Sequence, residues 1–345
     1  MSEKIRVAVL LGGDSSEREI SFRSGVAMAQ ALSAERYNVT MFDVATAKTR
    51  SESESTRATA LGDKPRHACL PVEWNQLATT LYTMPFDAVL PAMHGGWGED
   101  GTLQSILDVA GIPYAGSTAH ASAIAINKQV CKAFLKDVGL PVPRGVLVNS
   151  IEELEDESAA WIQNSPVVIK PNQGGSSVAV TILREPNSEK LREAVTAALA
   201  DGSSALVEEW IEGTEVTCAT MGEGASTQAL PIIEIVPQGD AEFYDFEAKY
   251  APGGSQHLIP PRISEAASTL IAQYAIQAHR ALGCRGVARS DYIVDLHGTP
   301  YFLELNTIPG MTQTSLVPDA ARAAGMGFEK LVETLVDQAI NRKSG

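Results

Sequence analysis

Chemistry-bearing residues are densest in the segment GVARSDYIVDLHGTPYFLELNTIPG, residues 286–310. If His297-Gly298 form the two-residue turn of an antiparallel hairpin, Asp291 faces Glu304 and Arg289 faces Asn306. Strand side chains alternate, so these four project from one face. Tyr292, Val294 and Leu296 then lie against Tyr301, Leu303 and Leu305 as a core on the other face. Two directly opposed carboxylates destabilise a sheet unless something positive lies between them. A hard divalent cation held by Asp, Glu and Asn oxygens removes that cost, and the set suits Mg²⁺ bridging phosphates. A solvated outer face is the alternative reading.

Other segments carry weaker signals. VVIKPNQGGSSVAV places Lys170 at the end of an apolar strand, followed by glycines that let backbone N–H groups close around phosphate oxygens. It is not a P-loop, because the lysine precedes the glycines, and many hairpins carry Gly/Ser turns. Lys128 follows a candidate N-cap, Asn127, and Lys249 lies in YDFEAKY; either can be a solvated charge. LVEEWIEGTE ends a strand in Glu208-Glu209 and reaches Glu215 after a glycine, a pattern open to an adenine edge and ribose hydroxyls or to an ordinary acidic turn. His94 sits where open α/β sheets place ligands, or is a structural histidine in a Gly-rich turn. Leu11 to Glu19 lacks G-x-G-x-x-G, which argues against a dinucleotide fold.

The elements that must position these groups read as three α/β modules. IRVAVLLGG, YNVTMFDV and FDAVLPAMHGG are strands of a doubly wound parallel sheet. Ser16 and Glu19 have capping-box spacing for the first helix. Lys48 to Pro65 is Ser/Glu-rich without periodicity and is expected to be a mobile insertion. Boundaries are expected at 1–121, 122–212 and 213–345. Further helices are expected over Glu189–Ala200, over Ser264–Leu282 and from Phe328, and the polar stretch Pro237–Pro261 is the candidate lid.

Composition narrows the class of function. The 345 residues carry a formal net charge of −15, which repels phosphodiester backbones and argues against nucleic-acid binding. Apolar residues make up 44% and charged residues 20%, enough to build cores. The four cysteines lie far apart, with no C-x-x-C pair. The amino-terminal apolar run, Val7 to Leu11, is a strand and not a signal peptide, and no stretch approaches a membrane span. A cytoplasmic protein is the expectation.

With these segments in this order, the chain resembles the D-alanine–D-alanine ligases of the ATP-grasp superfamily. The matching motifs are LLGGDSSEREIS, HGGWGEDGTLQSIL, IPYAGS, NKQVCKAFL, KPNQGGSSV, EEWIEGTEVT, FYDFEAKY, ARSDYIV and FLELNTIPGMTQTSLVP, with a carboxyl-terminal helix. The chain departs from the pattern at 48–65, at Asn172-Gln173-Gly174 and at Ala288. The resemblance implies a three-domain ATP-grasp α/β architecture and joining of two D-alanines at the expense of ATP, for peptidoglycan precursors. It implies Mg²⁺ (two ions, with Mn²⁺ as a substitute) on Asp291, Glu304 and Asn306, and ATP phosphates on Lys128, Lys170, Lys249, Gly175 and Ser176. Glu208, Glu209, Trp210 and Ile211 would line the adenine, and Glu215 would hold the ribose. Glu17 would take the first D-alanine's ammonium, and His94 would also bind substrate. Arg289 and the Gly310 N–H would hold the oxyanion, and Ser315 and Leu316 the second carboxylate. Glu17, Ser176 and Tyr250 would link by hydrogen bonds to close the loop. A homodimer is implied as well. The rivals are an ATP-grasp ligase for another amine, a D-alanine–D-lactate ligase, a dehydrogenase and a non-catalytic ATP sensor.

Overall fold

The computed structural model describes residues 3–61, 66–155, 157–175, 179–200, 202–237 and 254–341. Ser176, Lys249, Tyr250 and most of the candidate lid lie outside these residues. The first sheet is parallel, with Cys69–Val72, Tyr37–Val44, Ile5–Gly12 and Ala88–Pro91 side by side in that order. Alternation along Ile5–Gly12 divides its apolar run between two helical layers. Val7, Val9 and Leu11 share a core with the helix Arg18–Ala31 and with Leu331, Val332 and Leu335 of the last helix, Phe328–Ile340. Ala8 and Leu10 pack with Leu77 and Leu81 of Trp74–Thr83 and with Leu103 and Leu107 of Thr102–Val109. The first strand and the last helix therefore fold against each other.

Two local expectations fail here. The capping box does not form: the helix starts at Arg18, with Glu17 at the N-cap and no side-chain cap bond. Ser16 is exposed and Glu19 pairs with Arg23 at 2.5 Å. Ser15 acts instead, donating to the His94 carbonyl at 2.6 Å and accepting from Glu17 N at 3.2 Å, which ties this turn to the end of the neighbouring strand. The 48–65 segment holds two short helices, Ala47–Glu52 and Glu54–Leu61. Thr46 caps the first, Arg18 Nε reaches Ser53 Oγ at 2.7 Å, and Ala60 and Leu61 pack on the core. These tertiary anchors supply the order that the Ser/Glu composition does not.

A second, antiparallel sheet runs Gly145–Val148, Ala205–Glu209, Val167–Pro171, Thr181–Leu183, backed by the helix Ser188–Leu199. The third runs Ser255–Leu258, Ile233–Pro237, Gly213–Glu223, Arg285–Asp295, Pro300–Asn306. Its core includes Ile271 and Ala275 of Glu265–Ala281, Ala121 of Ala119–Ile126, and Cys131 and Leu135 of Lys128–Asp137. The last two helices precede the second sheet in sequence but pack on the third.

The hairpin pairs Asp291 with Glu304 and Arg289 with Asn306, as the spacing predicts, but by a different route. The connection is three residues, Leu296 to Gly298, not two. Asp295 N donates to Thr299 O and Gly298 N to Asp295 O, both at 3.0 Å. Gly298 has φ +86°, a left-handed conformation that glycine adopts without steric cost. A bulge between Asp291 and Tyr292 then shifts the register by one, leaving Leu303 as the extra residue. Beyond the bulge, Phe302 joins Tyr292 and Leu305 in the core in place of Tyr301 and Leu303, and Leu296 is 75% exposed.

Because one core joins the first strand to the last helix, Leu331→Ala should destabilise the amino-terminal sheet by about 2–5 kcal/mol. Amide hydrogen exchange across Ile5–Gly12 should accelerate accordingly. Exchange confined to the last helix would contradict the shared core.

Candidate active site

A cleft of about 1090 Å³ opens between the second and third sheets, with Ser15, Glu17 and Gly95 of the first module at its mouth. Its floor is the hairpin face. Asp291, almost fully buried, accepts Arg289 Nε at 2.9 Å and Nη2 at 2.7 Å, and Thr217 Oγ1 at 2.6 Å. Opposite it, Glu304 Oε2 lies 3.7 Å from Lys128 Nζ. The repulsion expected of opposed carboxylates is thus offset by Arg289 at Asp291 and by Lys128 at Glu304. Asn306 Oδ1 accepts Ile308 N at 3.0 Å, which holds the amide at the strand end. Among the described residues no group of three or more His, Cys, Asp or Glu is placed to hold a metal ion by itself. Two carboxylates and an amide oxygen on one face nevertheless form a hard-oxygen set that fits Mg²⁺ with phosphate oxygens completing its shell.

Lys128 opens the helix Lys128–Asp137, whose N-cap Asn127 accepts from Val130 N. Lys128 Nζ also donates to Gly174 O at 2.6 Å, joining the glycine loop to the hairpin. Lys170 ends its strand with Nζ 2.7 Å from Glu208 Oε2, and the other Glu208 oxygen takes Lys132. All three side chains are at most 10% exposed. Burial pushes the Lys132 ammonium down to about 7. Burial also opposes the charges on Lys170 and Glu208, but Glu208 and Glu304 together outweigh it for Lys170, which is raised, and the two lysines outweigh it for Glu208, which is lowered. Lys132 escaped the sequence reading. Its signal was its place one helical turn after Lys128, on the buried face.

Glu17 is 7% exposed and sits between two glycines. A Cβ on Gly95 would stand 2.7 Å from Glu17 Oε2, and one on Gly175 would stand 3.2 Å from it. The carboxylate therefore faces both the first module and the glycine loop. His94 is not in the main cleft wall. It lies behind, buried, with Nε2 3.0 Å from Ser24 Oγ and Nδ1 3.7 Å from Glu99 Oε1. Burial works against its charge, yet Glu99 and then Glu17 raise its pKa.

Glu209, Trp210, Ile211 and Glu215 line the cleft where the chain passes from the second sheet to the third. Glu209 Oε1 accepts Arg144 N at 2.7 Å, and the Arg184 guanidinium lies 4.6 Å over the Trp210 ring. Arg184 and the Arg262–Glu234 pair, whose closest approach is 2.6 Å, also line the cleft and had no motif to announce them. Gly310, Ser315 and Leu316 are not among the cleft-lining residues; a Cβ on Gly310 would stand 3.0 Å from Ser315 Oγ, so the loop before the helix Leu316–Ala323 folds back on itself.

Glu208→Gln would leave Lys132 and Lys170 buried without their shared carboxylate, a loss of about 3–5 kcal/mol. A lysine whose folded pKa is depressed penalises folding fully below that pKa, and the penalty fades as pH rises from it towards the ordinary lysine value. With Lys132 titrating near 7, the loss should be larger at pH 6 than at pH 9. Urea unfolding at the two pH values reads this; a pH-independent loss would contradict the shared-carboxylate description.

Comparison with known proteins bears on this geometry. Family models described as "D-ala D-ala ligase N-terminus" and "D-ala D-ala ligase C-terminus" match residues 6–117 and 134–337. The D-alanine–D-alanine ligase of Gloeobacter violaceus is 42% identical over 98% of this chain and 100% of its own. That of Halalkalibacterium halodurans is 36% identical over 98% and 100%. Among solved structures, D-alanine–D-alanine ligase from Bacillus anthracis complexed with ATP superposes with a TM-score of 0.75 at 28% identity, covering 97% of each chain. VanG D-Ala:D-Ser ligase from Enterococcus faecalis gives 0.79 at 28% identity, over 98% of this chain and 100% of that one. With both family models matched in order and relatives aligned over nearly its whole length, the chain belongs to the D-alanine–D-alanine ligase family.

Proposed function

We propose that this chain joins two D-alanines to D-alanyl-D-alanine with cleavage of ATP to ADP and phosphate, supplying peptidoglycan precursor synthesis. The observation that carries the reading is the charge arrangement at the cleft floor. Two carboxylates are held by Arg289 and Lys128 beneath a lysine-lined cavity that Glu17 closes from the first module.

A carboxylate is a poor acyl donor because oxide is a poor leaving group. Attack of a D-alanine carboxylate oxygen on the γ-phosphorus breaks the bond to ADP and gives an acyl phosphate. Lys128 and Lys170 stand where they neutralise the phosphate charge that shifts in this step. Mg²⁺ on Asp291, Glu304 and Asn306 would supply electrostatic stabilisation of the same oxygens. Glu17 holds the donor's ammonium. The deprotonated amine of the second D-alanine attacks the acyl carbon, and the tetrahedral oxyanion meets Arg289 and the Gly310 N–H. Asp291 takes Arg289 Nε and Nη2, so the guanidinium plane is set before substrate arrives. Phosphate then leaves with its bridging oxygen, which came from the donor carboxylate. Ser315 and Leu316 at the start of their helix take the second carboxylate. The stretch Glu208 to Ile211 lines the adenine and Glu215 holds the ribose. Lys249, Ser176 and Tyr250 complete the site on the family's pattern.

The proposal extends to two Mg²⁺ ions, replaceable by Mn²⁺, and to three domains at 1–121, 122–212 and 213–345; the three separate sheets support their number, while the helices Ala119–Ile126 and Lys128–Asp137 pack on the third sheet. It extends also to a cytoplasmic homodimer, for which the family resemblance is the support. Among the described residues no helix is long and apolar enough to cross a membrane.

Arg289→Lys keeps the charge but loses the planar fork on Asp291. ATP binding should persist while ligation falls about a hundred- to thousandfold; a fall below tenfold in a folded variant would remove Arg289 from the oxyanion role. Glu304→Gln should fold normally and lose about a hundredfold or more in turnover at ordinary Mg²⁺, with partial recovery as Mg²⁺ is raised. Wild-type turnover without added Mg²⁺ would sink the hairpin metal site.

A further inference from the structure

The helix Leu316–Ala323 is eight residues long, too short to hold its place alone, and it has no side-chain cap. The Ser315 hydroxyl turns back to accept Thr312 N at 3.1 Å and lies 2.7 Å from Thr312 Oγ1. The helix's first N–H groups are thus uncapped by any side chain of the motif, and their aim depends on tertiary anchors. One anchor comes from the edge strand Ser255–Leu258, which pairs with Ile233–Pro237 through Ile235 and His257. His257 Nδ1 lies 2.6 Å from Asp319 Oδ2, in the first turn of the helix, and both side chains are 17% exposed. Asp319 is held below the usual carboxylate range: burial opposes its charge, and His257 and Arg322 outweigh it. An ionised carboxylate only accepts, so His257 Nδ1–H donates. Asp319 Oδ1 takes Arg322 Nη1 at 2.6 Å, and Arg322 Nη2 donates to Gln313 O at 2.8 Å. The chain His257–Asp319–Arg322–Gln313 therefore ties the edge strand to both sides of Ser315.

We propose that His257 and Asp319 form a positioning pair that holds the Ser315 end of this helix in place and so sets the affinity for the second amino acid. This deepens the proposed function, resting on the assignment of Ser315 and Leu316 to the acceptor carboxylate. His257 touches no substrate. Its effect is confined to the acceptor step, because the donor, the nucleotide and the hairpin charges are held by other elements.

Hydroxylamine separates the two steps, since it intercepts the acyl phosphate without occupying the acceptor subsite. His257→Phe should leave ATP- and D-alanine-dependent hydroxamate formation within about twofold of wild type. It should raise the acceptor KM for dipeptide formation about tenfold, the loss expected with one hydrogen bond to a charged group, with kcat little changed. His257→Asn, whose amide can place a donor near the Nδ1 position, should recover most of that loss. Should His257→Phe fail to fold, Asp319→Ala breaks the same bond from the other side and reads the same way. Equal losses in hydroxamate and dipeptide formation, or no recovery in His257→Asn, would overturn the pair as an acceptor device. Ser315→Ala is the control. If it weakens the acceptor and His257→Phe does not, this inference alone fails; if Ser315→Ala leaves the acceptor KM unchanged, the subsite assignment fails and takes the inference with it.

Discussion

The facing carboxylates of Asp291 and Glu304 are the constraint around which the molecule is organised. Adjacent strands place them directly opposite, and a sheet does not tolerate that without compensation. Each compensating cation belongs to a different element. Arg289 lies two residues before Asp291 on the same strand, and Lys128 begins a helix that precedes the second sheet in sequence. Lys128 also grips the glycine loop through Gly174, and that loop meets Glu17 of the first module at Gly175. Balancing the floor therefore brings all three modules to one point.

Burial gives those charges their strength. Lys170 and Glu208 line the cleft, and Lys132 is buried behind them on the other Glu208 oxygen. Such an arrangement, held in low dielectric, acts on phosphate more strongly than a solvated lysine would. It is maintained by the packing of the helix Lys128–Asp137 on the third sheet while its charged side chains reach the second. The cleft is thus a joint between two sheets whose closure is set by one helix.

Much of this floor was legible in the sequence, partly through errors that cancelled. A two-residue turn at His297-Gly298 and an unbroken ladder predict the same Asp291–Glu304 pair as the real three-residue turn followed by a bulge. The cancellation is local: beyond the bulge the inward residues change, and Phe302 replaces Tyr301 and Leu303. The parallel first sheet was legible because strands buried on both faces are uniformly apolar. The capping box was misread because the serine that matters, Ser15, is fixed by the His94 carbonyl, a partner far away in sequence. Lys132 was invisible for the same kind of reason: in the sequence it is one more lysine on an amphipathic helix, and only the neighbouring sheet makes it a buried ion. The order in 47–61 likewise comes from Arg18 and the core, not from local composition.

Direct phosphoryl transfer to the donor carboxylate leaves its mark on that group's oxygens. D-Alanine carrying ¹⁸O in both carboxylate positions should be incubated with the purified protein, ATP and Mg²⁺, and the released phosphate analysed by mass. One ¹⁸O atom transferred to inorganic phosphate for each dipeptide formed, with ADP as the nucleotide product, is the predicted result. Unlabelled phosphate, or AMP and pyrophosphate as products, would contradict the acyl-phosphate route and with it the roles given to the lysines and Arg289.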